Sequence, residues 1–314
     1  MQEAARSSHY GDPQSVEFRA ALAERHGGGP ENYLVGAGID GLFISLARAY
    51  LRPGMCVSTT RGSYPTFEYA VKGTGAELVY AEYSRLLLPM PQEGQDWRFP
   101  RPDPIALAAL GADVLYLANP DNPSGALTPA QEVQSLLRDD RLLVLDEAYA
   151  DFVPEDQLLP IDLRDRRIVR FRTFSKAHGM AGQRIGYVMG HPDVLEPLSR
   201  VRPHFEVSIV AQAGALASLR DKNYTAEVIE HYNAGRIELS QILQEAGLTP
   251  LPSSTNFVTA QVGTREEAEA LLNRLLQRGV FIRKPALPPL DGCIRVTIGR
   301  PEDHAILAEA LRPD

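Results

Sequence analysis

The sequence predicts an α/β fold with a mostly parallel sheet in a large first domain, residues 1–220, followed by a smaller α/β domain, residues 221–314. Two apolar runs of strand length, 113–118 and 142–145, stand between segments with helical spacing. Strands that alternate with helices are typical of a parallel sheet with helices on both faces. From about residue 206 the pattern changes to longer helical segments, and this change places the domain boundary nearby.

Apolar runs bounded by glycine, proline and polar residues define the individual elements. In the first domain we predict helix 15–26, strand 32–35, helix 36–50, strand 55–60, a helix from residue 63, strands 76–80 and 113–118, helix 129–138 and strands 142–145, 167–172 and 186–190. Residues 84–103 are rich in proline and polar groups, which favours a surface loop. In the second domain we predict helix 224–246, strand 257–260, helix 265–278, strands 280–282 and 293–298, and helix 301–312.

The composition is that of an ordinary globular protein and argues against several functional classes. A hydrophobic fraction of 44%, a charged fraction of 23% and a net charge of −8 give no support to nucleic-acid binding. No apolar run is long enough to span a bilayer, and the N-terminus lacks the apolar core of a signal peptide. Cys56 and Cys293 lack metal-ligand spacing, so we expect two reduced, packed thiols and no metal site. These features predict a cytoplasmic protein that binds neither nucleic acid nor membrane.

Polar side chains follow two of the predicted strands at their carboxyl ends, where open α/β sheets place ligand sites. Asp146 comes directly after one apolar run, with Tyr149 three residues later. Lys176 follows the next run, in the segment Thr173-Phe174-Ser175-Lys176. A lysine near hydroxyls and Arg184 indicates an amine used in covalent chemistry with a carbonyl, because burial and nearby positive charge lower its pKa. On this motif alone, a surface lysine in a loop is the alternative.

A glycine turn, Gly36-Ala37-Gly38-Ile39-Asp40-Gly41, follows strand 32–35 and opens a helix. The free N–H groups and the positive dipole end of a helix N-terminus suit a phosphate. An ordinary strand-to-helix turn is the alternative, since many such turns contain two glycines.

Several short motifs, taken together in their order and spacing, relate this chain to a known family. They are Tyr10-Gly11-Asp12-Pro13, Val35-Gly36-Ala37-Gly38-Ile39-Asp40, Pro65-Thr66-Phe67, Asn119-Pro120-Asp121-Asn122-Pro123-Ser124-Gly125, Asp146-Glu147-Ala148-Tyr149, Thr173-Phe174-Ser175-Lys176, Ala181-Gly182-Gln183-Arg184-Ile185-Gly186-Tyr187 and Ile294-Arg295-Val296-Thr297-Ile298-Gly299. With these motifs the chain resembles the fold-type I pyridoxal-phosphate aminotransferases, and it is most similar to their histidinol-phosphate aminotransferase group. The resemblance covers residues 10–311. It implies a three-layer large domain with a mostly parallel sheet, a smaller C-terminal α/β domain and the cofactor pyridoxal 5'-phosphate.

The resemblance also implies a role for each motif residue. Lys176 would bind the cofactor covalently and then carry the proton between substrate and cofactor. Asp146 would pair with the pyridine nitrogen and keep it protonated. Tyr149 and Asn122 would hydrogen-bond the 3'-oxygen of the ring, and Phe67 would stack on its face.

A second group of residues would bind the anions of cofactor and substrate. The cofactor phosphate would be held by the backbone of Gly38, Ile39 and Asp40 and by the side chains of Thr173, Ser175 and Arg184. Arg295, Arg283 and Asn122 would bind the substrate, the arginines through its carboxylate or phosphate. For Arg283 a surface salt bridge is the alternative. Tyr10 would reach the cofactor phosphate of a neighbouring subunit, which implies a homodimer with shared active sites.

The chain departs from the family pattern at its N-terminus and in the phosphate turn. Residues 1–9 do not match the Asn-Glu-Asn-Pro-like arm that helps to cover the substrate in the family. We therefore expect either a more open site or a sequence that begins late. Ile39 stands where the family often has a hydroxyl residue, and Gly41 stands where it has an acidic one. Because both changes retain the backbone donors, cofactor binding is expected to persist.

The expected reaction is transfer of an amino group from a small-molecule donor to a 2-oxo acid, with histidinol phosphate and 2-oxoglutarate as substrates, as in histidine biosynthesis. Two alternatives share the cofactor, namely transfer from another amino acid and a decarboxylase, racemase or oxidase reaction. A non-catalytic binding module on the same fold is the third alternative. The intact set of Lys176, Asp146, Tyr149 and Arg184 argues against that third alternative.

Overall fold

The computed structural model describes residues 8–88 and 97–312. Its helices are α1 Val16–His26, α2 Gly38–Tyr50, α3 Thr66–Lys72, α4 Pro104–Ala109, α5 Ala130–Gln134, α6 Pro192–Val201, α7 Ile209–Arg220, α8 Lys222–Glu245, α9 Arg265–Gln277 and α10 Pro301–Leu311. Its strands are β1 Tyr33–Gly36, β2 Cys56–Thr60, β3 Glu77–Ala81, β4 Ser84–Leu88, β5 Trp97–Arg101, β6 Val114–Ala118, β7 Leu142–Asp146, β8 Ile168–Thr173, β9 Gly186–Gly190, β10 Thr249–Pro250, β11 Phe257–Gln261 and β12 Cys293–Thr297.

A seven-stranded sheet with the order β1-β9-β8-β7-β6-β2-β3 is the centre of the fold. The strands β8, β7, β6, β2 and β3 are parallel to one another, whereas β9 is antiparallel to both β8 and β1. The predicted α/β fold with a mostly parallel sheet is thus confirmed. Because parallel strands end at the same edge, β6, β7 and β8 bring Ala118, Asp146 and Thr173 together at that edge.

Both faces of this sheet are buried, as the uninterrupted apolar runs of its strands indicate. Val114 and Tyr116 of β6 belong to a core that also contains Phe43 of α2. Leu115 and Leu117, which point the other way along the same strand, belong to a second core with α4 and α5. Helices α1 and α7 pack against β9 in a third cluster. The result is the expected three-layer arrangement of helices, sheet and helices.

A smaller antiparallel sheet, β10-β11-β12, packs with α8, α9 and α10 around a separate core. The domain division between residues 220 and 221 stays a prediction, and α8 begins immediately after it. The predicted strand 280–282 is wrong. Val280 donates its N–H to Leu275 and so closes the end of α9, and only Arg283 makes a bridge to β12. No helix in the described residues has the length and hydrophobicity that crossing a membrane requires.

The prediction of a loop over 84–103 is also wrong for the part that the structure describes. Strands β4 and β5 pair as an antiparallel ribbon, with Ser84 opposite Arg101 and Leu88 opposite Trp97. Residues 89–96 lie outside the described residues. The proline content led to the loop prediction. Both strands of a two-stranded ribbon are edge strands, however, and an edge strand tolerates the missing N–H of Pro100.

Candidate active site

A cavity lies at the edge of the large sheet where β6, β7 and β8 end. Nine of the predicted site residues line it, namely Ile39, Asp40, Asn122, Asp146, Tyr149, Thr173, Ser175, Lys176 and Arg184. They come from segments up to 145 residues apart in the chain, and the common strand ends and the start of α2 bring them together. Tyr64, which the sequence analysis did not single out, also lines the cavity.

Asp146, the last residue of β7, is a buried carboxylate at the floor of this site. Tyr116 Oη donates to its Oδ2 at 2.7 Å, and the backbone N–H of Ala148 donates to its Oδ1 at 3.0 Å. Burial raises the pKa of Asp146 to about 6, although these two donors and the charge of Lys176 act in the opposite direction. Within the described residues no cationic side chain forms an ion pair with it. A positively charged partner would therefore be stabilised here.

Lys176 follows β8 and presents its amine to the same cavity. Burial lowers the pKa of Lys176, and the charge of Arg295 lowers it further, whereas Tyr64 and Asp146 oppose the shift. Its Nζ lies 5.2 Å from the ring centroid of Tyr149. An amine whose pKa is lowered is neutral more of the time, and only the neutral amine is a nucleophile or a base.

Tyr149, Asn122 and Arg295 form a connected polar group beside Lys176. Asn122 Nδ2 donates to Tyr149 Oη at 3.4 Å, and Arg295 Nη1 donates to Asn122 Oδ1. The guanidinium carbon of Arg295 lies 4.9 Å from the ring centroid of Phe257, which stacks edge-on against Tyr149. Burial raises the pKa of Tyr149, so that its hydroxyl stays protonated and can donate a hydrogen bond.

The other end of the cavity is an anion cradle at the start of α2. Arg184 Nη2 donates to Asp40 Oδ2 at 3.0 Å, and Nη1 donates to the carbonyl of Ala181 at 3.0 Å. Gly38 has a φ of +74°, and a Cβ there would lie 2.8 Å from Arg184 Nη2. Asp40 Oδ1 is buried without a hydrogen-bond partner in the described residues. The glycine therefore leaves room for the guanidinium beside the free amides of the helix N-terminus.

A second buried carboxylate, Asp121, fixes the loop that carries Asn122. It accepts hydrogen bonds from Ser63 Oγ at 2.6 Å, Tyr83 Oη at 2.9 Å and Ser124 Oγ at 2.5 Å, and from the Ser124 N–H at 3.1 Å. These donors tie the loop after β6 to the loop after β2 and to the residue preceding β4. Asn122 is thereby held at the cavity wall.

Glu147 anchors the loop that carries Asp146 and Tyr149. Its Oε1 accepts from Arg170 Nη1 at 2.8 Å and its Oε2 accepts from Arg172 Nε at 3.0 Å, and all three side chains are buried. Both arginines belong to β8. These ion pairs therefore fix the carboxyl end of β7 to the neighbouring strand β8.

Five predicted residues do not line the cavity, namely Gly38, Phe67, Tyr10, Arg283 and Arg295. Gly38 is the first residue of α2, next to Ile39, and Arg295 lines an adjoining cleft with Lys176. Phe67 is fully buried, at 0% exposure, and stacks on Tyr116 with ring centroids 4.8 Å apart. In this conformation it offers no surface to a cofactor ring, and Tyr64 and Tyr149 are the aromatic side chains that line the cavity. Tyr10 is 81% exposed and stacks on Phe205 at 4.6 Å. Their predicted roles stay predictions.

Arg283, which also lies outside the cavity, joins the small sheet beside Arg295. The two residues exchange backbone hydrogen bonds of 3.1 and 2.7 Å. The side chain of Arg283 lies over the ring of Phe281 and lines a separate cavity with Arg295 and His304. A ligand role for Arg283 thus depends on its relation to Arg295 and stays a prediction.

Sequence reasoning missed Tyr64 and Tyr116 for different reasons. Tyr116 lies inside a buried strand, so the sequence pattern indicated a core residue. A buried tyrosine hydroxyl needs a hydrogen-bond partner, however, and Asp146 is that partner. Tyr64 precedes α3 in a loop, where local sequence does not indicate the direction of a side chain.

The residues present fit pyridoxal 5'-phosphate. The anion cradle at α2 suits its phosphate, the buried carboxylate of Asp146 suits a protonated ring nitrogen, and Lys176, which lines the same cavity, has an amine suited to its aldehyde. The residues described include no group of three or more His, Cys, Asp or Glu side chains that could hold a metal ion.

Comparisons with known proteins point to one enzyme class. The histidinol-phosphate aminotransferase of Roseiflexus castenholzii is 33% identical over 96% of this chain and 80% of its own length, and histidinol-phosphate aminotransferase 2 of Caulobacter vibrioides is 34% identical over 96% and 78%. The crystal structure of histidinol-phosphate aminotransferase from Sinorhizobium meliloti in complex with pyridoxal-5'-phosphate is 39% identical, with a TM-score of 0.89 over 99% of this chain and 83% of that one.

More distant structures share the fold alone. The L-threonine-O-3-phosphate decarboxylase of Porphyromonas gingivalis, 24% identical, has a TM-score of 0.75 over 97% of this chain and 90% of its own.

The family model for aminotransferase class I and II matches residues 1–311. Since that match spans nearly the whole sequence, the chain belongs to the aminotransferase class I and II family, and the prediction of a pyridoxal-phosphate-dependent aminotransferase is confirmed.

Proposed function

We propose that this aminotransferase transfers the amino group of histidinol phosphate to 2-oxoglutarate. The observation that carries the proposal is the position of Arg295 in the same cleft as Lys176. A guanidinium beside the reactive amine suits a donor or acceptor that carries a carboxylate or a phosphate. The similarity to histidinol-phosphate aminotransferases over 96–99% of the chain supports histidinol phosphate as the donor.

Lys176 and Asp146 would carry the proton chemistry. Pyridoxal 5'-phosphate, when bound, supplies an aldehyde for the donor amine and a ring that delocalises the charge left by deprotonation of the α-carbon. The Asp146 carboxylate would keep a proton on the ring nitrogen. The Lys176 amine would remove the proton from the α-carbon of the donor, and its lowered pKa favours the neutral form that this step needs.

The other cavity residues would bind and orient. Tyr149 and Asn122 would donate hydrogen bonds to the 3'-oxygen of the ring. The phosphate would be held by the backbone of Gly38, Ile39 and Asp40 and by the side chains of Thr173, Ser175 and Arg184. Thr173 Oγ1 accepts the N–H of Ser175 at 3.1 Å, which orders this part of the loop.

Arg295 would bind the carboxylate of glutamate or 2-oxoglutarate, or the phosphate of histidinol phosphate, with Asn122 holding the guanidinium in place. Arg283, bonded through its backbone to Arg295, would contribute a second positive charge. We further propose a homodimer in which Tyr10 reaches the partner's site, and a location in the cytoplasm. The exposed aromatic pair of Tyr10 and Phe205 supports a contact surface near the N-terminus.

The test begins with purified protein reconstituted with pyridoxal 5'-phosphate. Borohydride reduction followed by peptide mass spectrometry is expected to find the cofactor on Lys176, and Lys176→Ala is expected to lose both this adduct and activity. Wild-type protein with L-histidinol phosphate and 2-oxoglutarate is expected to produce glutamate. Glutamate formed only from other donors would contradict the substrate assignment but retain the reaction class.

Product analysis separates transamination from the alternative reactions on this cofactor. Release of carbon dioxide from an amino-acid phosphate, or formation of hydrogen peroxide, without any glutamate, would favour a decarboxylase or an oxidase. An unchanged activity of Lys176→Ala would refute the covalent mechanism altogether.

A further inference from the structure

A substrate cleft adjoins the cavity, and its charged side chains are of opposite sign. Lys176 and Arg295 line it from the strand ends and the small sheet, and Glu68 lines it from the first turn of α3. Glu68 is the single carboxylate among the side chains that line this cleft in the described residues. A ligand that spans the cleft therefore meets a cationic and an anionic group.

Only one oxygen of Glu68 is engaged by the protein. Tyr80 Oη donates to Oε2 at 2.9 Å, and Lys72 Nζ lies 3.4 Å from the same atom. Oε1 makes no hydrogen bond to any described residue. The side chain is only 14% exposed, so the free oxygen belongs to a largely desolvated carboxylate at the cleft wall.

A surface ion pair with Lys72 does not by itself account for this arrangement. An exposed i,i+4 ion pair on a helix contributes little to stability, and Lys72 is mostly exposed. The Tyr80 hydroxyl fixes the orientation of the carboxylate instead, and it leaves an acceptor oxygen for a group outside the protein. A carboxylate in such a setting binds an N–H donor with a charge-assisted hydrogen bond.

We infer that Glu68 is a specificity-determining residue that accepts a hydrogen bond from an imidazole N–H on the amino donor, while Arg295 binds the anion of the same molecule. This inference rests on the proposed function, because histidinol phosphate carries both an imidazole and a phosphate. It goes further in assigning the recognition of the imidazole to one side chain. A donor that lacks an N–H group on its side chain gains nothing from Glu68.

Equilibrium binding tests the inference without turnover. The holoenzyme is reduced with borohydride, so that it binds donors without converting them, and calorimetry gives the Kd of L-histidinol phosphate and of O-phosphoethanolamine. The second compound has the amine and the phosphate but no imidazole. Glu68→Gln retains an acceptor for Tyr80 and a similar volume. We expect it to weaken L-histidinol phosphate roughly tenfold relative to O-phosphoethanolamine, the loss expected for a hydrogen bond to a charged group.

Lys72→Gln is the matched control. It removes the ion pair of Glu68 but leaves the cleft lining intact, so the ratio of the two Kd values is expected to stay at the wild-type value. A ratio unchanged in Glu68→Gln, or an equal loss for both compounds, would overturn the inference. A wild-type protein that does not discriminate between the two compounds would overturn it as well.

Turnover provides the second measurement and separates the two proposals. In Glu68→Gln the ratio of kcat/KM for L-histidinol phosphate to kcat/KM for L-glutamate is expected to fall by a similar factor. Absence of wild-type turnover with L-histidinol phosphate would refute the proposed function, whereas the Kd ratio tests Glu68 independently of that result.

Discussion

At the scale of single residues, burial of the Asp146 carboxylate, for which we propose a role beside the cofactor ring nitrogen, lowers the stability of the fold. The side chain is buried, receives two hydrogen bonds and has no ion-pair partner in the described residues. Burial raises its pKa from 3.8 to about 6. Burial in the folded, cofactor-free protein therefore disfavours the charged form of Asp146, which is the form that its proposed role beside the ring nitrogen requires.

This environment predicts that Asp146→Asn stabilises the cofactor-free protein at neutral pH. Between pH 3.8 and about 6 the folded chain binds a proton that the unfolded chain has lost. The free energy of unfolding therefore falls as pH rises through this window, and the deficit persists above it. Asparagine carries no charge. Its Oδ1 can accept from the Ala148 N–H, and its Nδ2 can donate to Tyr116 Oη, which then accepts instead of donating. We expect a gain of roughly 1–3 kcal/mol at pH 7.5.

Thermal or urea unfolding of both proteins without cofactor, at pH 7.5 and at pH 4, measures this difference. The gain is expected to shrink at pH 4, where the wild-type carboxylate is protonated in the folded chain. Transaminase activity of the variant is expected to be lost. A variant less stable than wild type at pH 7.5 would mean that the charged carboxylate stabilises the fold.

At the scale of elements, the start of α2 combines an unusual backbone conformation with the proposed binding of the cofactor phosphate. Gly38 has a φ of +74°, and the space of its missing side chain is occupied by Arg184. Arg184 itself adopts a φ of +51°, an uncommon value for a residue with a side chain. Helix, glycine and arginine thus form the anion cradle as one unit.

Gly38→Ala is therefore expected to weaken the binding of pyridoxal 5'-phosphate, because its Cβ would lie 2.8 Å from Arg184 Nη2. Gly111→Ala is a matched control, since Gly111 has a φ of +65° and no atom within 4 Å of the added Cβ. Both variants are expected to lose about 1–2 kcal/mol of stability from the left-handed backbone. Only Gly38→Ala is expected to raise the Kd of the cofactor, measured by fluorescence titration. Equal Kd values for the two variants would contradict the cradle.

Elements with long apolar runs could be predicted from the sequence, whereas elements defined by pairing could not. The strand that ends on Asp146 is buried on both faces, so its apolar run was a sufficient signal. The ribbon of β4 and β5 depends on pairing between two segments that each contain polar residues or proline. Val280 is a β-branched residue of the kind that favours strands, but its N–H donates to the carbonyl of Leu275 at the end of α9. Local sequence does not indicate which distant segment a strand pairs with or which carbonyl a backbone N–H donates to.

In the candidate site, too, some residues could be predicted from the sequence and others could not. Residues that share the strand ends, such as Asp146 and Lys176, were predictable because topology alone brings them together. The contacts of Phe67, Tyr64 and Glu68 depend on the packing of α3 and its preceding loop, which the sequence motif does not specify. The family resemblance implies a ring-stacking role for Phe67, which stays a prediction, and in the structure the Phe67 ring stacks on Tyr116.

At the scale of the whole molecule, the proposed homodimer makes Tyr10 and Lys176 of different subunits parts of one site. Tyr10 is 81% exposed, and among the residues that the structure describes it stacks on Phe205, which is 48% exposed. Exposed aromatic residues that adjoin each other indicate a contact surface. The proposal can be tested by complementation, because each subunit would contribute to both sites of a twofold dimer.

Tyr10→Ala and Lys176→Ala are each expected to have reduced activity, the first through weaker cofactor binding and the second through loss of the amine. When the two variants are co-expressed, a hybrid dimer would contain one site with an intact Lys176 and an intact Tyr10 from the partner. Random assortment makes half of the dimers hybrids, so about a quarter of the wild-type sites should be recovered. Analytical sedimentation tests for the dimer. The recovery is the activity of the co-expressed protein minus that of the two separately purified variants, mixed without subunit exchange. Activity equal to that mixture would mean that Tyr10 serves no site in the partner subunit.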